Sequence, residues 1–172
     1  FAEALSLWRE VGGVDGKLGE ATALAALGDA QGAETAFLEA VEASGGDYAA
    51  YEALDALYTR RISAGEALQK WGAVATAHPD HAWARYMLSL AHSRIARHEE
   101  ALQEARAALA LSPDNQVMRA HVLAMVREVA SEHLSRGRSA EALSLWREVG
   151  GVDGKLGEAK ALEALGDVAG AE

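Results

Sequence analysis

The sequence predicts an all-α fold, a solenoid of antiparallel helix hairpins stacked along one continuous array. Three observations predict it: a composition that favours helix, a long segment that occurs twice, and a shorter period marked by alanines and prolines. Alanine and leucine dominate the apolar half of the chain, and both lose little freedom on entering a helix. Only two prolines interrupt the sequence. We therefore expect helix throughout, with short turns.

The long segment covers residues 2–34 and recurs as residues 140–172, with differences at only four of 33 positions. The two copies thus stand at opposite ends of the chain. Repeats of this kind indicate stacked supersecondary units, because one helix hairpin cannot bury its apolar face alone. The core is therefore expected to lie between neighbouring hairpins.

A finer period lies inside the long one, since Pro79 and Pro113 stand at equivalent places, each after an apolar helical stretch. Small alanines recur in phase with these prolines, at Ala4, Ala33, Ala67, Ala101, Ala142 and Ala171. Large apolar residues follow four positions later in most units, at Trp8, Phe37, Trp71 and Trp146. Residues four apart share one helix face. This small-then-large pattern predicts that the four rings belong to the core between helices.

The elements follow in order from these marks. We expect a helix at 2–11, hairpins at 16–43, 48–77, 82–111 and 115–149, and a last helix at 154–165. Glycines end the outer helices, and Asp15 is a candidate N-cap. The interval from Ala101 to Ala142 is longer than the one before it, which predicts a long helix at 116–136 beside a short one at 154–165. Two interpretations stay open: the overhang of the long helix exposes an edge, or the extra residues are a local insertion without functional consequence.

These residues resemble the tetratricopeptide repeat (TPR). The unit 48–81 matches that family at Tyr51, Leu54, Tyr58, Ala67, Trp71 and Pro79. The unit 82–115 matches at Leu88, Ser89, Ala101, Ala108 and Pro113, and departs at Arg85, His92 and Ala105. The resemblance implies a right-handed superhelix over 1–172, with units at about 14–47, 48–81, 82–115 and 116–151 and partial units at 1–13 and 152–172.

The start of the chain inside a repeat suggests a piece of a longer array, and the usage of alanine, glycine and arginine is typical of bacteria. Bacterial arrays that resemble this one occur in cytoplasmic and in periplasmic assemblies. The sequence does not separate these two compartments.

The resemblance also implies a function, which is to hold another protein or peptide in the concave groove lined by the first helix of each unit. The family's groove positions fall on Trp83, Tyr86, Leu90 and Arg94, with Arg60 and Arg127 at or near matching positions. Trp, Tyr and Arg often dominate interface energies, and arginines in a groove favour an acidic partner segment. Two alternatives stay open: Trp83 packs on the preceding helix, or the arginines are solvated or paired with neighbouring glutamates. The family's carboxylate-clamp subtype is not expected, because Glu52, Ala56, Tyr86 and Leu90 occupy its Lys and Asn positions.

A second functional hypothesis is structural self-assembly. The two ends of the chain carry nearly the same sequence, and each would be an open solenoid face without its neighbour. Identical open ends favour head-to-tail association into oligomers or filaments.

Other classes of function are not expected. The net charge of −10 argues against a nucleic-acid partner, and no apolar run is long enough to predict membrane insertion. There are no cysteines, and His78 and His81, although three residues apart, lie in a turn between repeats and not on a rigid helix face. The other four histidines show no paired spacing, so we expect neither a metal nor a cofactor. The segment GGVDGKLGE lacks the first glycine and the hydroxyl of a phosphate loop, and it has too few oxygen ligands for a calcium loop. We expect a binding module and not an enzyme.

Overall fold

The computed structural model describes the backbone of residues 2–169 and the side chains of residues 2–166. Within that range the chain forms helices and no strand. The helices in order are α1 (Ala2–Val11), α2 (Gly13–Leu27), α3 (Ala30–Ala43), α4 (Tyr48–Arg61), α5 (Ala64–Ala77), α6 (Ala82–Ser93), α7 (His98–Leu111), α8 (Gln116–Ser135), α9 (Ser139–Val149) and α10 (Gly151–Ala169). None of the described helices is both long enough and apolar enough to cross a membrane.

Each helix packs mainly on the helices next to it in sequence, which gives a stack of antiparallel hairpins. The first helices of successive hairpins, α2, α4 and α6, also contact one another directly. The second helices, α3, α5 and α7, make no mutual contact of similar extent. The first helices therefore form the inner, tighter side of the stack. The predicted all-α solenoid of helix hairpins is confirmed.

Two predicted boundaries are wrong. Asp15 is not an N-cap, because α2 begins at Gly13 and Asp15 lies in its first turn, where its charge still suits the helix dipole. The long helix α8 is confirmed, but α10 has 19 residues and is not short. The short helix beside α8 is α9, with 11 residues, because Gly150 adopts a positive φ and ends it.

Buried residues form two apolar clusters, one contributed by α2–α6 and the other by α7–α10. The alanines of the predicted phase at 33, 67, 101 and 142 are all buried, as the pattern predicts. Ala4 is only half-buried, and Ala171 lies outside the described residues.

Of the four large rings, Phe37, Trp71 and Trp146 are buried, but Trp8 is 39% exposed. The prediction of a core position is therefore wrong for Trp8. The reason is its surroundings, because α1 packs on α2, whereas α9, which repeats the sequence of α1, packs on both α8 and α10.

The glycine-rich segment has two structural roles. Gly12 and Gly13 adopt positive φ angles, which end α1 and turn the chain into α2. Gly19 lies inside α2 under the ring of Trp8, and a Cβ atom there would overlap the ring. The second copy repeats this close approach beneath Trp146. The segment is thus partly a helix stop, as expected, and partly a notch that lets two helices pack closely.

Candidate functional site

Four half-buried rings lie side by side on the inner helices and form what we call the aromatic row: Tyr48, Trp83, Tyr86 and His121. Adjacent ring centroids are 4.4 Å apart for Tyr48 and Trp83, 5.3 Å for Trp83 and Tyr86, and 4.9 Å for Tyr86 and His121. These distances and the tilted or edge-to-face planes are the preferred geometry of aromatic pairs. The row crosses α4, α6 and α8 without a break.

The spacing of residues in α6 explains why its two rings, Trp83 and Tyr86, lie on the same side of the helix. Trp83, Tyr86 and Leu90 are spaced i, i+3 and i+7, so they share one helix face, and all three pack on the first core cluster while staying partly exposed. The helix begins after His81, whose Nδ1 lies 2.7 Å from the hydroxyl of Tyr51.

A buried serine holds His121 at the end of the row. The Ser89 hydroxyl donates to the carbonyl of Ala101 at 2.6 Å, and its oxygen lies 2.8 Å from Nε2 of His121. Because the single hydroxyl proton goes to Ala101, Ser89 accepts its second hydrogen bond from the Nε2–H of His121. Burial lowers the pKa of His121, so the ring of the row is the neutral imidazole.

The two tyrosines of the row remain neutral phenols. Burial raises the pKa of Tyr48, with further contributions from Glu52, to which the Tyr48 hydroxyl donates at 3.3 Å. Burial also raises the pKa of Tyr86, with a smaller contribution from the charge of Asp55. The row therefore offers apolar faces with hydroxyl groups at their edges.

Asp55 connects the row to the core. Its two carboxylate oxygens accept from Nη1 and Nη2 of Arg94 at 2.8 and 2.6 Å, and one of them also accepts from Nε1 of Trp71 at 3.0 Å. Such a bidentate pair is strong and directional. The guanidinium of Arg94, one third exposed, is thereby held beside Tyr86.

The three predicted groove arginines do not form one cluster. Arg94 is bound to Asp55, and Arg127 pairs with Asp153 at 2.7 Å where both side chains are about half exposed. Arg60 is exposed and forms no ion pair within residues 2–166. It lines a cavity of about 390 Å³ between α2 and α4. The structure thus brings together the rings of α6 and Arg94, and places Arg60 and Arg127 elsewhere.

Sequence reasoning missed three residues of this surface, Tyr48, Asp55 and His121. Tyr48 occupies the first position of its unit, one before the positions that the TPR resemblance assigns to the groove. An aromatic residue one repeat before Trp83 was the available signal. The contacts of Asp55 and His121 join residues far apart in the chain, and no local pattern indicates them.

The described residues contain no group of three or more acidic or histidine side chains arranged to hold a metal ion. The histidines of the turn before α6, His78 and His81, stack at 4.8 Å, and the second bonds to Tyr51. Their contacts are those of a structured turn.

No family model and no curated protein matches the chain. Solved structures are similar to it. MamA from Desulfovibrio magneticus RS-1, from residue 41 to its end, is 24% identical with a TM-score of 0.50, over 86% of this chain and 82% of that one. MamA AMB-1 is 20% identical with a TM-score of 0.51, over 86% of both chains. The TPR protein TTC0263 of Thermus thermophilus is 19% identical with a TM-score of 0.48, over 92% of this chain and 88% of that one.

At these identities the MamA structures establish a likeness of fold. The stacked hairpins, the inner row of first helices and the buried alanines in phase agree with it. The chain has the fold of a tetratricopeptide-type α-solenoid.

Proposed function

We propose that the chain is a protein-interaction module whose inner groove binds a segment of another protein or a peptide. The observation that carries the proposal is the aromatic row, four half-buried rings that run without a break over three inner helices. Partly exposed, rigid aromatic rings supply large contact area at little cost in side-chain entropy, and Trp and Tyr are frequent interface hot spots. The proposed role is binding and not catalysis.

The chemistry of the groove describes the partner. Apolar or aromatic side chains of the bound segment would lie on Trp83 and Tyr86. A partner carboxylate is best received outside the row, at the cavity between α2 and α4, by Arg60, which is exposed and forms no ion pair within residues 2–166. Arg94 and Arg127 already hold a carboxylate each, so a partner acid would have to displace Asp55 or Asp153 with little net gain.

A displayed library of short random peptides tests the role of the row. Peptides selected on the unmodified chain should bind the Trp83→Ala variant at least about 30-fold more weakly, the effect of losing a hot spot of about 2 kcal/mol. Trp8→Ala is the matched control, because Trp8 is a partly exposed tryptophan outside the groove. Far-UV circular dichroism verifies that both variants are folded. Equal affinities for Trp83→Ala and the unmodified chain would remove the row from the binding site.

The acidic part of the proposal has its own test. Peptides selected by the groove should be enriched in Asp and Glu, and Arg60→Glu should weaken them about tenfold or more, because a charge reversal turns attraction into repulsion. Arg97→Glu is the control, since Arg97 is exposed and lies before α7, outside the cavity that Arg60 lines. If the two reversals have the same effect, net charge explains the result and Arg60 is not a specific contact.

One observation favours self-association as a second function. The outer face of α1 is apolar and open, with Leu7 62% and Val11 61% exposed. Trp8, 39% exposed, lies beside them, and the three side chains form one contiguous apolar patch, the feature that marks interaction surfaces when it is extensive. Helix α1 is therefore the part of the chain best suited to contact another copy.

A further inference from the structure

The inner helix α8 is much longer than the outer helix that covers it. It has 20 residues, and α9 has 11. At about 1.5 Å per residue the two helices are about 30 and about 16 Å long. The second half of α8 packs on α9 through buried residues such as Val126 and Val129. The first half of α8 therefore has no outer helix of its own hairpin beside it.

This missing cover leaves a space that we call the overhang cleft, between α7, the first half of α8 and the turn from α9 to α10. Its volume is about 790 Å³, and its apolar walls include Leu109, Pro113, Ala120, Val122, Leu123 and Val149. Arg119 lies at its rim, donates to the carbonyl of Pro113 at 2.8 Å and has no carboxylate partner within residues 2–166.

Other hairpins of the chain show which residues occupy the equivalent position, beside the first half of the inner helix. In α3 and α5 the last two turns of the outer helix bring small apolar residues into the core: Ala40 and Val41 in α3, and Val74 and Ala75 in α5. All four of these residues are buried. The overhang cleft lacks that segment, so its shape suits about two turns of a helix with an apolar face.

The chain itself carries a helix of this description with an open face. Helix α1 has ten residues, about 15 Å, and exposes Leu7, Trp8 and Val11 on one side. Its sequence is identical to residues 140–149, most of α9, and α9 already packs on α8. In that copy the counterparts Leu145, Trp146 and Val149 are buried or half-buried. Within the fold this helical sequence thus already packs on α8, along its second half, and the cleft lies along the first half of the same helix.

We propose that α1 of a second copy of this chain docks in the overhang cleft, along the first half of α8. The cleft is also lined by Arg106, Glu148 and Asp153, but Arg106 pairs with Glu148 and Asp153 pairs with Arg127. Arg119 is therefore the charged group of the lining without an ion pair within residues 2–166, and it is available to Glu3 or Glu10 of α1, which form none there either. One copy cannot fill its own cleft, since α1 packs on α2 and the cleft lies among α7–α10. The contact is therefore head to tail, and it uses a surface other than the aromatic row.

The contact is small, one short helix in one cleft, and falls below the roughly 1,200 Å² of stable interfaces. We therefore expect association in the range of about 10 to 1,000 µM, corresponding to weak, transient complexes. Sedimentation velocity over that range should show an average mass that rises above the 18.1 kDa of one chain as concentration increases. A mass that stays at one chain up to the millimolar range overturns the proposal.

Exposed residues on both sides allow variants that keep the fold. Leu7→Glu should abolish the rise in mass, and Leu162→Glu, at a 49% exposed leucine of α10, should leave it unchanged. Ala120→Arg should block the cleft, and Ala124→Arg, one turn along α8 and outside the cleft, should not. Loss of association in Leu162→Glu with retention in Leu7→Glu would place the contact on α10 and overturn the proposal.

Mixing the two blocked variants gives the sharpest test. Leu7→Glu keeps an intact cleft and Ala120→Arg keeps an intact α1, so each alone should remain a single chain. Their equimolar mixture should form pairs and stop there, because the pair has no second productive contact. A mixture that stays at the mass of one chain contradicts a head-to-tail contact between these two surfaces.

Discussion

Replacing Trp146 with alanine should reduce stability by more than replacing Trp8, although both tryptophans lie in the same ten-residue sequence. Trp146 is 9% exposed and Trp8 39% exposed. Applied to the roughly 250 Å² of a tryptophan, the difference is about 75 Å², or about 2 kcal/mol at about 25 cal/mol per Å². A buried Trp→Ala change costs about 3 to 5 kcal/mol. We therefore expect that loss for Trp146→Ala and about 2 kcal/mol less for Trp8→Ala.

Urea unfolding followed by far-UV circular dichroism measures the difference. The two variants share their local sequence, helix propensity and lost atoms, and each removes a ring that covers a glycine of the next helix. Only the tertiary surroundings differ, because α8 covers Trp146 and no described helix takes its place over Trp8. The two variants must have the same m-value, the slope of the unfolding free energy against urea concentration. A different m-value would mean that the denatured or native state has changed in compactness or that unfolding is no longer two-state.

Equal losses for the two variants, or a larger loss for Trp8→Ala, would refute this reasoning. Either result would mean that Trp8 is covered in solution, whereas it is 39% exposed in the structure of a single chain. A loss for Trp8→Ala that grows with protein concentration would identify the cover as a second copy.

Three further predictions concern packing, charge and pH. Gly157→Ala should destabilise the chain by about 1 to 3 kcal/mol, because the new Cβ overlaps the indole ring of Trp146. Gly72→Ala, where a Cβ meets open space within a helix, should stabilise it by about 0.5 to 1 kcal/mol. Changes of the same sign in the free energy of unfolding by urea would contradict this. A double-mutant cycle of Asp55→Asn and Arg94→Gln should give a coupling of about 1 kcal/mol, since the pair is partly exposed, and a value near zero would show that it adds nothing. Burial lowers the pKa of His121 in the folded chain, so the unfolded chain binds this proton first as the pH falls. Stability should therefore be lost as the pH falls through about 6.5, and His121→Gln should flatten that part of a plot of Tm against pH.

Much of the architecture is readable in the sequence, because it depends on local rules. The alanines at 33, 67, 101 and 142 predict which helix faces are buried, and they are buried. Glycines such as Gly28 and Gly150 mark helix ends, since they adopt the positive φ that other residues avoid. These signals act over one or two helical turns, and that short range is why the order of the helices and most of their ends are predictable, with the start of α2 and the bounds of α10 as exceptions.

The candidate groove was predictable only in part. Trp83, Tyr86 and Leu90 lie on one face of α6 by helical spacing alone. The engagement of Arg94 by Asp55, which lies more than one repeat earlier, depends on how α4 and α6 pack, and no spacing rule indicates it. The sequence offered a signal for Tyr48, an aromatic residue about one repeat before Trp83, but the contact of the two rings depends on the packing of α4 and α6.

The sequence by itself determined the repeat, the helices and the residues that favour burial. The tertiary structure decided which of those residues are covered. Trp8 and Trp146 show the difference most directly, because the same ten residues form α1 and most of α9 and yet expose their rings to different extents. Burial is a property of the neighbours, since the hydrophobic free energy of a side chain depends on the area that other elements remove from water. The second half of α8 covers Trp146 and its first half borders the overhang cleft, and only the packed structure shows both.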